Sequence, residues 1–118
     1  MSIGIFVGGV WTQLPVNNLI LNGSVDFERT TVTTDTTLSN SHYTVLCDAT
    51  SGDITIMLPS SVGIDGRTYN IKKIDTSANS IIIDGDGSET IDGSTLVSSA
   101  IADDSFTVQS DGSNWVII

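Results

Sequence analysis

From residue 43 onward the chain is a succession of short apolar runs, each broken within a few residues by Asp-Gly, Ser-Gly or Asn-containing turn chemistry. The pattern culminates in residues 81–94, IIIDGDGSETIDGS, and in residues 106–118, FTVQSDGSNWVII. Runs this short, rich in β-branched residues and punctuated by residues that accept tight turns, predict strands rather than helices. Thr, Ser, Gly, Val and Ile dominate over the strong helix formers, so helix propensity is low nearly everywhere. The expected fold is all-β, a small β-sandwich or β-roll.

The chain has 118 residues, enough for one domain that buries roughly two thirds of the surface its unfolded chain exposes. Hydrophobic residues make up 39% and charged residues only 15%, a balance that predicts folding rather than a solvated tail. The formal charge is -10, from 14 acidic and 4 basic residues, which argues against a nucleic-acid partner. The apolar start lacks a positive flank and is interrupted by Gly8-Gly9, so neither an export signal nor a membrane helix is read there. A single cysteine, Cys47, offers no internal disulfide, and its strand parity with Val45 predicts a buried, inert thiol. Asn22-Gly23-Ser24 fits a glycosylation sequon, which without a secretory signal is read as coincidence.

Two regions follow from the pattern. In residues 1–41, runs at 3–7 and 10–14 flank Gly8-Gly9, a hairpin signal, and runs at 19–21 and 24–29 flank Asn22-Gly23, a stronger one. Residues 30–41 have β propensity but only Val32 and Leu38 as sizeable apolar anchors, so they are read as a connector with unpaired edges that several intertwined chains could cover. In residues 42–118, three hairpins are expected: 43–48 with 54–58 through ATSGD, 67–74 with 80–84 through DTSAN, and 106–110 with 115–118 through DGSN. Ile54, Ile56 and Leu58 alternate with Thr55 and Met57, which assigns that face to the core.

Residues 43–118 contain, in order, a strand ending in D-A-T-S-G, a strand ending in L-P, the G-R-T-Y-N-I-K-K strand, the I-D-G-D-G-S-E-T-I-D-G tract and the closing S-D-G-S-N-W hairpin. In this order the pieces resemble a small β module of tailed-bacteriophage tail-fibre and other virion structural proteins. The opening IFVGGVWTQL resembles short V-G-G-x-W hairpins of phage tail proteins. The resemblance implies a non-enzymatic virion structural protein: a small homotrimeric capsid-decoration, head-fibre or tail-attached knob, assembled in the host cytoplasm and carried on the virion surface. It would dock to a capsid or tail protein through its N-terminal region, with Ile5, Phe6, Val10, Trp11 and Leu14 as the contact residues. The alternative is a receptor-binding module for host-surface glycans, with Tyr69 and Trp115 as candidate stacking residues.

Sites that could carry chemistry are few. Asp84, Asp86 and Asp92 could offer oxygen ligands to calcium, yet counting from Asp84 the sixth position is Glu89 where a calcium loop needs glycine, and the twelfth is Thr95 where it needs a bidentate Glu. These carboxylates read better as turn residues. Paired carboxylates for glycoside hydrolysis need an aromatic-lined groove, and the seven aromatics fall mostly in apolar strand patterns. Asp103-Asp104 reads as a solvated turn. His42 has no second histidine for a zinc site, and no nucleophile motif is present. Among the cations, alternation sends Lys72 to the face opposite Arg67 and Lys73, so no basic patch forms. No cofactor is expected.

Overall fold

The computed structural model describes residues 4–7, 10–13, 18 and 20–118, with the side chains of the first two segments outside the description. Its elements are β1 (Gly4–Val7), β2 (Val10–Gln13), β3 (Arg29–Val32), β4 (Thr36–Thr37), β5 (Thr44–Cys47) and β6 (Ile54–Met57). These are followed by β7 (Thr68–Lys73), β8 (Ile81–Asp84), β9 (Leu96–Ser99), β10 (Ser105–Ser110) and β11 (Trp115–Ile117). The described residues are all-β, with no helix among them, and hence none long and apolar enough to cross a membrane. β1 and β2 pair antiparallel, with Phe6 opposite Trp11. The Gly8-Gly9 turn and Leu14 lie outside the described residues.

The remaining strands form two mixed sheets, one ordered β11-β10-β7-β5-β3 and the other β4-β6-β8-β9. From β3 to β8 the chain alternates between them, one strand in each sheet per coil, so that three coils stack as a roll. Within the first sheet β3, β5 and β7 run parallel; within the second β4, β6 and β8 do. Antiparallel strands then finish the roll: β9 on β8, β10 on β7 and β11 on β10.

This arrangement corrects two of the three expected hairpins. β5 and β6 do not pair with each other, nor do β7 and β8; each couple is an arch whose strands belong to facing sheets. A hairpin and an arch bury the same alternating residues, and the register decides between them. Ile54 pairs with Ile81 and Ile56 with Ile83 in one sheet, while Val45 pairs with Ile71 in the other. Aliphatic side chains therefore stack along each inner face and meet the opposite row across a core about 10 Å thick. All six are fully buried. The third hairpin forms as expected, with Ser110 opposite Trp115.

The connector is corrected as well. Residues 29–38 are the first coil of the roll: Val32 packs against the core, Leu38 is buried, and β3 and β4 add to the same sheets as the later strands. The body of the fold thus begins at β3 rather than at residue 42. The Asn22-Gly23 hairpin does not form, since residues 20–28 contain no strand. Their flanks instead run onto the roll, where Phe27 stacks on Tyr43 and the Glu28 carbonyl accepts the Thr44 N–H at 2.9 Å.

Parity separates inner from outer positions cleanly enough to test. Ile83→Ala is expected to lower unfolding free energy by about 2–5 kcal/mol, and Ile82→Ala, on the opposite face of the same strand, by a small fraction of that. Urea denaturation of the two variants measures the difference.

Candidate functional site

Three features concentrate polar side chains: the arcs between coils, the 85–95 tract, and a cleft beside the first coil. The arcs are built around Lys73, whose side chain is fully buried. Lys73 is the register partner of Cys47, so alternation carries its ammonium toward the core. There its Nζ donates to Asp75 Oδ2 at 2.8 Å, to the Asp75 carbonyl at 3.1 Å and to the Ser77 carbonyl at 3.0 Å, one acceptor for each ammonium proton. The Asp75 carboxylate also accepts the N–H of Ala49 at 2.8 Å and of Ser77 at 2.9 Å, as well as the Ser77 hydroxyl. Asn79 Nδ2 donates to the Ala49 carbonyl at 2.7 Å. One ion pair thereby fastens the third-coil arc to the second.

Acidic residues at neighbouring arcs do similar work. Asp35 Oδ1 accepts the Thr55 N–H at 2.8 Å, and Asp53 Oδ1 accepts the Ser80 N–H at 2.7 Å, so a carboxylate of each coil satisfies a backbone donor of the next. These are the orphan donors where a parallel ladder begins.

The 85–95 tract is a double turn. Asp92 and Gly93 both have positive φ, 49° and 86°, and Ile91 and Ser94 exchange backbone hydrogen bonds across them, the geometry of a type I′ hairpin turn. Gly85 is required because a Cβ there would collide with the Glu89 carbonyl. Ile91 is fully buried and bridges to Trp115 in the other sheet, and Asp92 Oδ1 accepts the Ile117 N–H at 3.1 Å. Glu89 accepts the Ser60 hydroxyl at 2.9 Å and the Ser61 N–H at 2.8 Å. The tract is a clasp that closes one side of the roll. Asp84, Asp86 and Asp92 are not brought together as ligands: no group of three or more His, Cys, Asp or Glu side chains suited to a metal occurs among the described residues.

Tyr69 and Trp115 are corrected as glycan contacts. They are 0% and 1% exposed and pack against each other with ring centroids 5.7 Å apart, because both alternate into the core. The Tyr69 hydroxyl is committed to the Ser39 carbonyl at 2.9 Å. The side chains of the docking residues Ile5, Phe6, Val10 and Trp11 lie outside the described residues. Cys47 is fully buried, and burial first and the Asp75 carboxylate second push its thiol up to about 12.

The cleft was not anticipated. It holds about 810 Å³ between the segment leading into β3, the turn before β5 and the start of β7. Phe27 and Tyr43 stack on one another there, with centroids 4.4 Å apart and planes 22° from parallel. Asp26, Glu28, His42 and Arg67 complete its charged and titratable lining. Ser39 N–H donates to His42 Nδ1 at 3.0 Å, so the neutral ring carries its proton on Nε2. These residues are scattered in sequence, and only the parallel pairing of β3 with β5 and of β5 with β7 gathers them. Nothing in the sequence joins Tyr43 to Phe27.

No protein-family model and no curated protein matches this sequence.

Asp75, Glu89 and Asp111 respond to pH with one sign. The Lys73 ammonium, then the Ser77 hydroxyl, hold the Asp75 carboxyl well below its ordinary value of 3.8 despite burial. Burial pushes the Glu89 carboxyl up, but the Ser61 N–H and the Ser60 hydroxyl outweigh it and leave the group below its ordinary value. The Asn114 and Ser113 N–H groups lower Asp111 in the same way. With folded values depressed, the unfolded chain binds more protons on acidification, so this stabilisation is complete above the ordinary carboxylate range and is lost as pH falls through and below it. Urea midpoints are expected to hold between pH 6 and 7 and fall from pH 5 to pH 2, with Asp75→Asn lowering the midpoint at pH 7 and flattening the fall.

Proposed function

We propose that this chain is a non-enzymatic structural protein of a bacteriophage particle, a small homotrimeric knob on the virion surface that docks to a capsid or tail protein through its N-terminal region. The observation that carries this reading is the open end of the roll. β3 and β4 are outermost in their sheets, and among the described residues their outer edges pair with no strand. The segment leading into them exposes Ile20, Leu21 and Val25. Unpaired strand edges beside exposed apolar side chains are what an isolated chain avoids and an assembled one covers.

The disposition of the carboxylates supports the same reading. Asp35, Asp53, Asp75, Glu89 and Asp111 each accept backbone N–H groups, which ties them to turn architecture rather than to substrate. The resemblance of the ordered sequence pieces to phage virion modules supplies the setting of this proposal. Assembly in the host cytoplasm fits a roll that is stabilised without disulfides.

Sedimentation equilibrium is expected to give a trimer, and Ile20→Asp combined with Val25→Asp to raise its dissociation constant at least tenfold with the roll still folded by circular dichroism. Purified protein is expected to bind phage particles that lack it. A chain that is monomeric at high concentration and binds no particles would refute the reading.

A further inference from the structure

The cleft beside the first coil has a chemistry that attachment through strand edges does not use. Phe27 is 55% exposed although its ring lies on Tyr43. One face of the ring is occupied by the tyrosine, and the other is presented to solvent on a support that restrains its orientation. A flat apolar face held in place, at the wall of a cleft of about 810 Å³, matches the roughly 300–1,000 Å³ of small-ligand sites.

Around that ring the charged groups are of both signs, and several of the polar groups are uncommitted. Glu28 Oε1 accepts the Thr30 hydroxyl at 3.1 Å, and His42 Nδ1 is occupied by the Ser39 N–H. By contrast, the Asp26 carboxylate, the Asn40 amide and the Arg67 guanidinium make no side-chain hydrogen bond among the described residues, and all three line the cleft. The lining carries two carboxylates and one guanidinium, so it is nearly neutral on a chain whose net charge is -10. A polyanion finds no positive field there, and a polycation meets Arg67 at the wall.

We propose that this cleft is a binding site for a neutral saccharide. A sugar ring offers an apolar C–H face to lie on Phe27 and, around its rim, hydroxyls that donate and accept at once. Carboxylate, amide and guanidinium groups are the planar partners such hydroxyl pairs need, and the Nε2 proton of His42 adds a donor. The stacked pair loses little conformational entropy on binding, because Tyr43 already restrains the Phe27 ring. The site is distinct from Tyr69 and Trp115, which are core residues, and it stands independently of whether the chain belongs to a virus particle.

The test is a titration of the ¹⁵N-labelled full chain with maltotriose, cellotriose and chitotriose, with oligolysine and dextran sulfate as charged comparators, alongside a glycan array. At least one neutral saccharide is expected to shift the amides of residues 26–28, 40–43 and 66–68. Phe27→Ala is expected to weaken that saccharide about tenfold or more, a loss of about 1.4 kcal/mol, and Arg67→Met several-fold. Neither variant is expected to move the urea midpoint appreciably, and Ile101→Ala, exposed elsewhere, is expected to leave binding unchanged. The proposal is overturned by any of three results: no glycan on the array or in the titration perturbs these amides; oligolysine or dextran sulfate binds the cleft more tightly than any neutral saccharide; or Phe27→Ala leaves saccharide affinity intact. Self-association that Phe27→Ala abolishes would identify a second copy of the chain as the occupant and overturn it equally.

Discussion

A lysine ammonium in the interior of a small β-roll is a constraint that its surroundings must satisfy. Removing such a charge from water costs several kcal/mol unless it is paired and its remaining protons are bonded. Lys73 meets that requirement with the Asp75 carboxylate and two backbone carbonyls, and the arc at 74–80 takes the path that delivers them. Asp75 in turn reaches the Ala49 N–H, so the position of one arc fixes the next. With two arcs tied together, β5 is set against β7 and β6 against β8, and the rows of Ile and Val side chains come into register. Hydrophobic burial supplies the bulk of the stability. The ion pair helps specify which parallel register that burial adopts.

The ends of the roll differ in how they are finished. At the later end, β9, β10 and β11 fold back antiparallel, and the Asp-Gly tract clasps the two sheets through the bridge from Ile91 to Trp115. Stacked-coil folds need such caps, because a final coil otherwise exposes both a strand edge and its inner face. At the first end, β3 and β4 are outermost in their sheets, as β9 is at the later end, and the chain entering them exposes Ile20, Leu21, Val25 and Phe27. The saccharide cleft lies at this same end, where Phe27 meets Tyr43. The proposed assembly surface and the proposed saccharide site therefore both lie at the β3 and β4 end of the roll.

What the sequence disclosed follows from which interactions are local. The alternation of Ile54, Ile56 and Leu58 predicted a buried face, and the DGSN turn predicted its hairpin, because each depends on neighbours a few residues away. The Asp-Gly pair at 92–93 likewise dictated a turn with positive φ. The arches were hidden because ATSGD and DTSAN reverse a chain equally well within one sheet or between two, and only pairing with a distant coil distinguishes the cases. A repeat was present in the paired Thr-Ser steps at 50–51 and 76–77, but connections of unequal length obscured it. The burial of Lys73 was hidden, since the carboxylate that permits it acts only once the arc is folded. The cleft was hidden for the same reason: parallel strands gather it from three separate segments.

The central claim is that the first coil is the working end of the molecule, and amide hydrogen exchange compared between the isolated chain and its assembled form tests it most directly. The amides of Arg29–Val32 and Thr36–Thr37 that do not face β5 and β6 are predicted to gain protection on assembly, together with residues 20–28, while Ile81–Asp84 stays unchanged. Protection gained at Leu96–Ser99 or Trp115–Ile117, with Arg29–Val32 unaffected, would place the working surface at the opposite end and contradict the account.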